Sequence, residues 1–331
     1  MTRPLTIAHI SDLHLSPEFK RSNIRNTRSL LDHIARLGVD HLVVTGDIAA
    51  NGSPSDFSIA RKMFEGYGLL DPRKLSVVIG NHDIYGGVNT AEDILSFPAR
   101  CRATDYTGKV GEFGRWFREA FTGCIGGPDG ELFPFVKDLG GVVLVGINSV
   151  APYSAVANPL GSNGIVSERQ LNHLRRVLDS RLFKHKQRAV LIHHHFHKAA
   201  GKSSSGLLGN VWGTLESQTM KLRGKKALLE FFREMNIDIV LHGHDHTTME
   251  YTRKDLLFLN AGGSVQGPTP GDLCVNFVRA DGQGLKTELH RIPSSSVPTF
   301  PTFDALLPPT LLEAEPPARI SIETTPVDAA A

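Results

Sequence analysis

The sequence predicts an α/β protein in which a largely parallel sheet is covered by helices on both faces. Short apolar runs alternate with helical stretches along most of the chain, and this alternation is typical of β-α-β units. The predicted strands are apolar throughout, which indicates a sheet that is buried on both faces. After Thr247 the pattern changes to pairs of strands around short turns, which predicts an antiparallel extension of the sheet.

The predicted elements follow one another in chain order, and each is defined by an apolar run or by apolar residues at helical spacing. They are strands at 5–11 and 40–46 with a helix around 30–37 between them, a strand at 74–80, a strand at 142–148, a helix at 167–182, a strand at 188–193, a helix at 225–235 and a strand at 237–243. Two hairpins follow, one turning at Lys254 and Asp255 and the other at Asp281 and Gly282.

The chain divides into a folded domain, residues 1–292, and a Pro-rich tail, residues 293–331. The tail has little apolar periodicity, so we expect it to wrap over the surface or to be disordered. Such tails can also wrap around a second subunit, so a homo-oligomer remains one of the alternatives. Within the domain, segments 86–134 and 197–220 show no clear periodicity, and we expect them to be irregular caps over one end of the sheet.

Charge and composition argue against several classes of protein. The chain has 331 residues, with 36 Lys and Arg against 34 Asp and Glu and no basic stripe, so nothing indicates a nucleic-acid partner. No apolar run approaches the roughly 20 residues of a membrane span. The 3 cysteines are scattered and form no CxxC pair, and the N-terminal segment lacks the apolar core of a signal peptide. These features predict a cytoplasmic protein.

Polar residues follow five of the predicted strands, at the point where each strand ends. Because the carboxyl ends of parallel strands meet at one edge of a sheet, we expect these side chains to converge. They are Asp12 and His14, then Asp47, then Asn81 with His82 and Asp83, then His193, and finally His244 and His246. A single "DLH", "GD" or "GNHD" alone would be an ordinary turn. The ordered combination at strand ends indicates a metal site.

The residue types in this set indicate which ions bind. Carboxylates, an amide oxygen and imidazoles, without any thiolate, suit Mn²⁺, Fe²⁺, Zn²⁺ or Co²⁺. The candidates also exceed what one four-to-six coordinate ion can use. We therefore expect two divalent metal ions about 3.5–4 Å apart, sharing a bridging carboxylate.

The motifs "DLH", "GD", "GNHD", "HHH" and "GHDH" occur in the order found in the calcineurin-like metallophosphoesterases, which this chain resembles over about residues 5–263. The resemblance implies a four-layered α/β/β/α sandwich, with two mixed sheets flanked by helices, in place of the single sheet expected above. It also implies metal-dependent hydrolysis of a small-molecule phosphoester.

The resemblance also assigns the ligands. It implies that Asp12, His14 and His246 hold the first metal, that Asn81, His193 and His244 hold the second, and that Asp47 bridges both. Many relatives read "HHPP" where this chain reads "HHHFH", so His194 and His195 remain alternatives to His193.

Two neighbouring residues are candidates for catalysis. His82, which is adjacent to the ligand Asn81 and is not itself assigned to a metal, could stabilise the negative charge that develops in the transition state or protonate the leaving oxygen. Asp83 either orients the His82 imidazole or caps the following turn.

The substrate is less well defined than the site. The chain looks most like the bacterial branch that contains class III cyclic-nucleotide phosphodiesterases and glycerophosphodiesterases, which implies a phosphodiesterase acting on a small nucleotide or glycerophospho-type substrate. The alternatives are a pyrophosphatase acting on a nucleotide-linked lipid or sugar precursor, a phosphomonoesterase, including a protein phosphatase, and a non-catalytic metal-binding scaffold.

Overall fold

The computed structural model describes residues 4–19, 21–197, 220–266, 271–282 and 284–293. The strands are β1 (Leu5–Ile10), β2 (His41–Thr45), β3 (Leu75–Val78), β4 (Phe135–Asp138), β5 (Val142–Gly146), β6 (Gln187–Leu191), β7 (Ile239–His242), β8 (Thr248–Arg253), β9 (Leu256–Ala261), β10 (Leu273–Ala280) and β11 (Leu285–Ile292). The α-helices are α1 (Arg21–Arg36), α2 (Pro54–Gly66), α3 (Asn81–Tyr85), α4 (Ala91–Ala103), α5 (Tyr106–Trp116), α6 (Arg118–Phe121), α7 (Glu168–Leu178) and α8 (Lys225–Glu234).

The strands form two mixed sheets. The five-stranded sheet has the order β11-β10-β1-β2-β3, and the six-stranded sheet has the order β4-β5-β6-β7-β9-β8. Strands β1, β2 and β3 run parallel to one another, as do β5, β6 and β7. Helices flank the pair of sheets, and the four-layered α/β/β/α sandwich is confirmed.

Alternation along β5 shows how the layers pack. Leu144 belongs to the core between the two sheets, whereas Val143 and Val145 belong to a second core. Leu174 of α7 and Phe232 of α8 close that second core from outside. Because successive side chains of a strand point to opposite faces, one short apolar strand supplies both cores.

Helix α2 begins where its sequence contains a start signal. The Ser53 hydroxyl accepts a hydrogen bond from the Asp56 backbone N–H at 3.2 Å, and Pro54 occupies the first helical position, where its missing N–H has no cost. Ser167 caps α7 in the same way, accepting from Gln170 N at 3.3 Å. These N-terminal caps determine the residues at which α2 and α7 begin.

The expectation of one sheet extended by both hairpins was wrong. The hairpins separate: β8 and β9 extend the six-stranded sheet, with β9 parallel to β7, whereas β10 and β11 join the other sheet beside β1. Ile7 of β1, for example, lies opposite Val278 of β10. One strand of each hairpin pairs with a buried strand, β9 with β7 and β10 with β1. The sequence pattern of a hairpin does not indicate which buried strand it will join.

Segment 86–134, expected to be irregular, is largely helical. It contains α4, α5 and α6, although Pro98 lies inside α4 and glycines are frequent in α5. The Thr90 side chain accepts from Asp93 N to cap α4. Phe113 and Trp116 anchor α5 against Phe57 of α2, with ring centroids 6.0 and 6.2 Å apart. Tertiary packing overrides the weak helix propensity of this segment.

Two expectations fall largely outside the described residues. Of the second cap segment, 197–220, the structure describes only the ends, His197 and Met220, and of the tail only Pro293. Within the described ranges, none of the helices combines the length and the apolar character that crossing a bilayer requires.

Replacing His41 with asparagine should make the free energy of unfolding depend less steeply on pH. His41 is buried; its Nδ1–H donates to Arg73 O at 2.7 Å, and its Nε2 accepts from the Ser76 hydroxyl at 2.9 Å. Burial lowers its pKa to about 3. Between about pH 3 and pH 6.5, His41 binds a proton in the unfolded chain, where a His pKa is near 6.5, but not in the folded chain. Stability is therefore lost as pH falls from about 6.5 towards 3.

The expected change is a slope smaller by up to about 1.4 kcal/mol per pH unit between pH 6 and pH 4. Asparagine keeps a donor at the position of Nδ1 but does not titrate. Urea unfolding of metal-free protein at several pH values measures the slope. His185→Asn, a change at an exposed histidine, is the matched control. Identical slopes for His41→Asn and wild type would contradict the assignment.

Candidate metal centre

The predicted ligands lie together where parallel strands of both sheets end. Asp12 and His14 follow β1, Asp47 follows β2 and Asn81 follows β3, all in the five-stranded sheet. His193 follows β6, and His244 and His246 follow β7, in the other sheet. The cluster therefore lies at the junction of the two sheets and needs both of them.

One half of the cluster consists of Asp12, His14 and His246, whose ligand atoms all lie within 4.8 Å of one another. The Nε2 atoms of His14 and His246 are 3.0 Å apart, and Asp12 Oδ1 lies 3.6 Å from His246 Nε2. Asp12 also accepts the His244 backbone N–H at 3.0 Å, so this carboxylate ties the end of β1 to the loop after β7.

The other half centres on His193. Its Nε2 lies 3.1 Å from Asn81 Oδ1, 3.0 Å from His244 Nδ1 and 3.4 Å from Asp47 Oδ2. Asp47 Oδ2 is also 3.9 Å from His14 Nε2. Asp47 is therefore the carboxylate within reach of both halves, which is the position expected for a bridging ligand.

The three consecutive histidines have different surroundings. Thr45 O accepts a hydrogen bond from His193 Nδ1 at 2.8 Å, which leaves His193 Nε2 facing the cluster. Both ring nitrogens of His194 have other partners, Ser149 Oγ at 2.8 Å and Ser162 O at 3.2 Å. The His195 ring stacks on His244, with centroids 5.5 Å apart. The geometry favours His193 as the ligand among the three.

Unusual backbone conformations aim the side chains at the cluster. Positive φ angles, rare for residues with a Cβ, occur at five site residues: Asp12 (57°), His14 (44°), Asp47 (50°), His244 (83°) and His246 (53°). Glycines in the same motifs permit close approach. A Cβ on Gly80 would lie 2.2 Å from Asp47 Oδ1, and one on Gly243 would lie 2.0 Å from Ser11 Oγ. No other residue fits there without a shift of the ligands.

Burial and charge oppose each other throughout this cluster. Burial raises the pKa of Asp12 to about 7. Burial would also raise the pKa of Asp47, but His193 and His82 hold it well below its usual value. For His193, burial lowers the pKa, yet the carboxylates of Asp47 and Asp12 outweigh it and raise the pKa to about 9. These opposing shifts follow from the burial of several ionisable groups within contact distance of one another.

The arrangement fits divalent cations. His193 Nε2 faces an amide oxygen, a carboxylate oxygen and a second imidazole nitrogen, all of which are electron-pair donors. His244 Nε2 is buried and has no hydrogen-bond partner in the described part of the chain. Converging lone pairs in a buried site are stabilised by a cation, and the set of nitrogen and oxygen donors suits first-row divalent metals.

His82 and Asp83 lie beside the cluster and have different partners. The His82 backbone N–H donates to Asp47 Oδ1 at 2.8 Å, and its ring Nδ1 donates to Ala50 O at 3.0 Å. Asp83 accepts the backbone N–H groups of Ala49 at 2.9 Å and Gly80 at 2.8 Å. Asp83 therefore caps α3 and braces the Asp47 loop, and the partner that orients the His82 ring is a backbone carbonyl.

Asp245 is a site residue that the sequence reasoning missed. Its buried carboxylate accepts from Asn260 Nδ2 at 2.5 Å and from Thr247 Oγ1 at 2.9 Å, and it contacts His197 Nε2. It thereby fixes the turn that carries His244 and His246. Its position between the two histidines of the motif was the available signal.

Comparison with known proteins gives the family. The profile of the calcineurin-like phosphoesterases matches residues 5–248. No curated protein sequence matches significantly. A dimetal phosphatase from Danio rerio has a similar structure, with a TM-score of 0.52 and 15% identity over 86% of this chain and 98% of its own. A purple acid phosphatase from yellow lupin (Lupinus luteus) seeds gives 0.51 and 13% over 91% of this chain and 53% of its own. Because the profile covers most of the sequence, this chain belongs to the calcineurin-like phosphoesterase family.

Proposed function

We propose that this chain is a phosphodiesterase that acts on small molecules of nucleotide or glycerophospho type. Family membership makes metal-dependent hydrolysis of phosphoesters its reaction class. The observation that supports two-metal hydrolysis is the position of Asp47, whose carboxylate lies within reach of both halves of a complete ligand set. A complete set also argues against a non-catalytic scaffold.

Two ions would be held by the residues described above. Asp12, His14 and His246 would hold the first; Asn81, His193 and His244 would hold the second, with Asp47 between them. Mn, Fe, Zn and Co all suit these donors. When bound, such ions lower the pKa of water and polarise phosphoryl oxygens.

His82 supplies the proton in this proposal. Its Nδ1–H is held by Ala50 O, so Nε2 is the nitrogen that can carry a second proton towards the leaving oxygen. The ring packs edge-on against His14 at 4.5 Å between centroids, which limits its rotation. Asp83 contributes indirectly, because its carboxylate holds the Gly80 and Ala49 backbone on which Asn81 and Asp47 depend.

The choice of a diester over a monoester rests on the motifs "DLH", "GNHD" and "GHDH", which resemble those of the bacterial class III phosphodiesterase branch. The two-metal centre itself suits both ester types.

Comparison of two chromogenic substrates tests the proposal. With Mn²⁺ bound, kcat/KM on bis-p-nitrophenyl phosphate should exceed that on p-nitrophenyl phosphate by about tenfold or more, which corresponds to 1.4 kcal/mol in the transition state. The reverse order would identify a monoesterase, and no turnover of either by metal-loaded protein would favour a scaffold. Cyclic nucleotides, glycerophosphodiesters and nucleotide-sugar diphosphates then define the class. Preference for the diphosphates would identify a pyrophosphatase.

A cytoplasmic location belongs to the same proposal, and self-association is tested with it. Cys101, Cys124 and Cys274 are free thiols, two of them buried, and this supports a reducing compartment. Mass measurement of the full chain by light scattering determines whether it forms a homo-oligomer.

A further inference from the structure

A cavity of about 910 Å³ lies beside α5, and we refer to it as the α5 cavity. Val110 of α5 lines it, together with Leu132 and Phe133 before β4, Val150 after β5, and Ile165 before α7. Its volume falls within the roughly 300–1,000 Å³ of small-molecule sites. The cavity is therefore large enough to hold a ligand.

The α5 cavity is separate from the metal centre. No candidate metal ligand lines it. Val150 faces the cavity, whereas the adjacent Ser149 hydrogen-bonds to His194 Nδ1, and the His194 ring lies 4.4 Å from that of His244. The segment after β5 thus has the cavity on one side and the metal centre on the other.

The glycine at position 111 leaves open space in the cavity. Gly111 and Gly114 line it from α5, where a helix interior would normally favour residues with side chains. A Cβ built on Gly111 would meet only Arg115, with Nη1 at 3.6 Å, so the space beside Gly111 is open. Asp105 caps the start of the helix, where its side chain accepts from Gly108 N at 3.0 Å.

Three uncharged polar residues of the cavity wall, Tyr106, Asn148 and Gln170, already have partners inside the wall. Asn148 Nδ2 donates to the Tyr106 hydroxyl at 2.9 Å, which in turn donates to Val150 O at 2.7 Å. Gln170 Nε2 donates to Asn148 O at 2.9 Å. A nucleobase placed here would leave its own donors and acceptors unpaired, which is unfavourable. The wall therefore suits a hydrocarbon.

One of the charged side chains that line the cavity has no ion-pair partner among the described residues. Arg115 lines the cavity, is half-buried, and forms no hydrogen bond or ion pair with any residue that the structure describes. Arg118, one turn further on, also lines the cavity and pairs with Glu119 at 3.1 Å. Glu131 lines it too but lies 3.3 Å from Arg169 Nη2. A half-buried guanidinium without a partner favours an anion beside it.

We propose that the α5 cavity binds a single-chain anionic amphiphile. The hydrocarbon chain fills the apolar space, and a carboxylate or phosphate head lies against Arg115. This function is independent of phosphoester hydrolysis, because none of the proposed catalytic or metal-binding residues takes part in it.

A chain-length series on the metal-loaded, full-length protein tests the apolar part of the site. Saturated carboxylates of 8 to 18 carbons, kept below their critical micelle concentrations, are titrated by calorimetry. Affinity should rise about fourfold with each added methylene until the cavity is full. The alcohols of the same lengths and a lysophosphatidate then vary the head group. A higher affinity for the lysophosphatidate than for the carboxylate of equal length identifies a phosphate head, and the reverse identifies a carboxylate head.

Two variants test the site directly. Gly111→Leu fills the space beside Arg115 while improving helix propensity, so binding should be lost although the fold is retained. Gly66→Leu, at the end of α2 with open space around it, is the matched control. Arg115→Gln should weaken carboxylate binding by about tenfold or more and leave alcohol binding unchanged. Arg176→Gln, at an exposed site on α7, is its control.

The following results overturn the proposal. They are the absence of saturable binding of the 16-carbon carboxylate and the lysophosphatidate, binding that Gly111→Leu leaves unchanged, and equal effects of Arg115→Gln on acid and alcohol. None of these results bears on hydrolysis, which is measured separately with the chromogenic diester.

Discussion

Asp47→Asn should reduce bound metal from two equivalents to one or fewer and lower kcat by roughly 10³-fold. The carboxylate lies 3.4 Å from His193 Nε2 and 3.9 Å from His14 Nε2, so removing its charge affects both halves of the centre. Each ion contributes several kcal/mol to the transition state, and this corresponds to about 10³-fold in rate. Elemental analysis of reconstituted protein, combined with diesterase kinetics, measures both effects.

Asp40→Asn is the matched control for this experiment. Asp40 lies at the opposite end of β2, where its carboxylate accepts the Thr6 backbone N–H at 2.8 Å. This variant should keep two equivalents and full activity. Saturation of wild type at one equivalent, retained in Asp47→Asn, would show that Asp47 is not shared between two ions.

His82→Ala should lower kcat by about 10²–10⁴-fold while both metals stay bound. This is the usual range for general acid–base assistance, and it corresponds to about 3–5 kcal/mol of barrier. The loss should be smaller on bis-p-nitrophenyl phosphate than on an alkyl diester, because a nitrophenolate leaves without a proton and an alkoxide does not. Steady-state kinetics on both substrates, with metal content determined for each protein, measures these effects.

His82→Asn distinguishes the two ring nitrogens. Asparagine places an amide donor where Nδ1 bonds to Ala50 O but has nothing in place of Nε2. If Nε2 is the acting atom, the asparagine and alanine variants should lose the same activity. Ligand atoms of His14, Asp47 and His82 also lie within 4.8 Å of one another, so loss of one metal equivalent would identify His82 as a ligand. Equal losses on both substrates would favour charge stabilisation over proton donation.

Much of the centre could be predicted because its residues occur in short motifs at strand ends. The sequence places Asp12, Asp47 and His244 directly after apolar runs, and parallel strands bring such positions to one edge. Short-range patterns carry the information for these three positions. The choice of His193 over His194 was less accessible, since it depends on Thr45 O and Ser149 Oγ, which come from distant parts of the chain.

Other features could not be predicted because they depend on long-range packing. Nothing local to β10 indicates that it pairs with β1, some 270 residues earlier, as in the pair Leu5 and Ala280. The division into two sheets came from a family resemblance and not from the pattern of apolar residues. Helix α5 was missed because its glycines lower helix propensity, while its stability comes from the contacts of Phe113 and Trp116 with Phe57.

The left-handed backbone of the metal centre implies a trade-off between stability and activity. Five of the nine described non-glycine residues with positive φ are site residues, and each such conformation costs roughly 1–2 kcal/mol. Their sum is a sizeable part of the 5–15 kcal/mol that separates folded from unfolded proteins. Glycine at these positions would relax the backbone but remove a ligand. A family member with glycine where this chain has His244 or His246 would thus be more stable but would lack a metal ligand. Such a replacement would identify a relative that has lost metal-dependent hydrolysis.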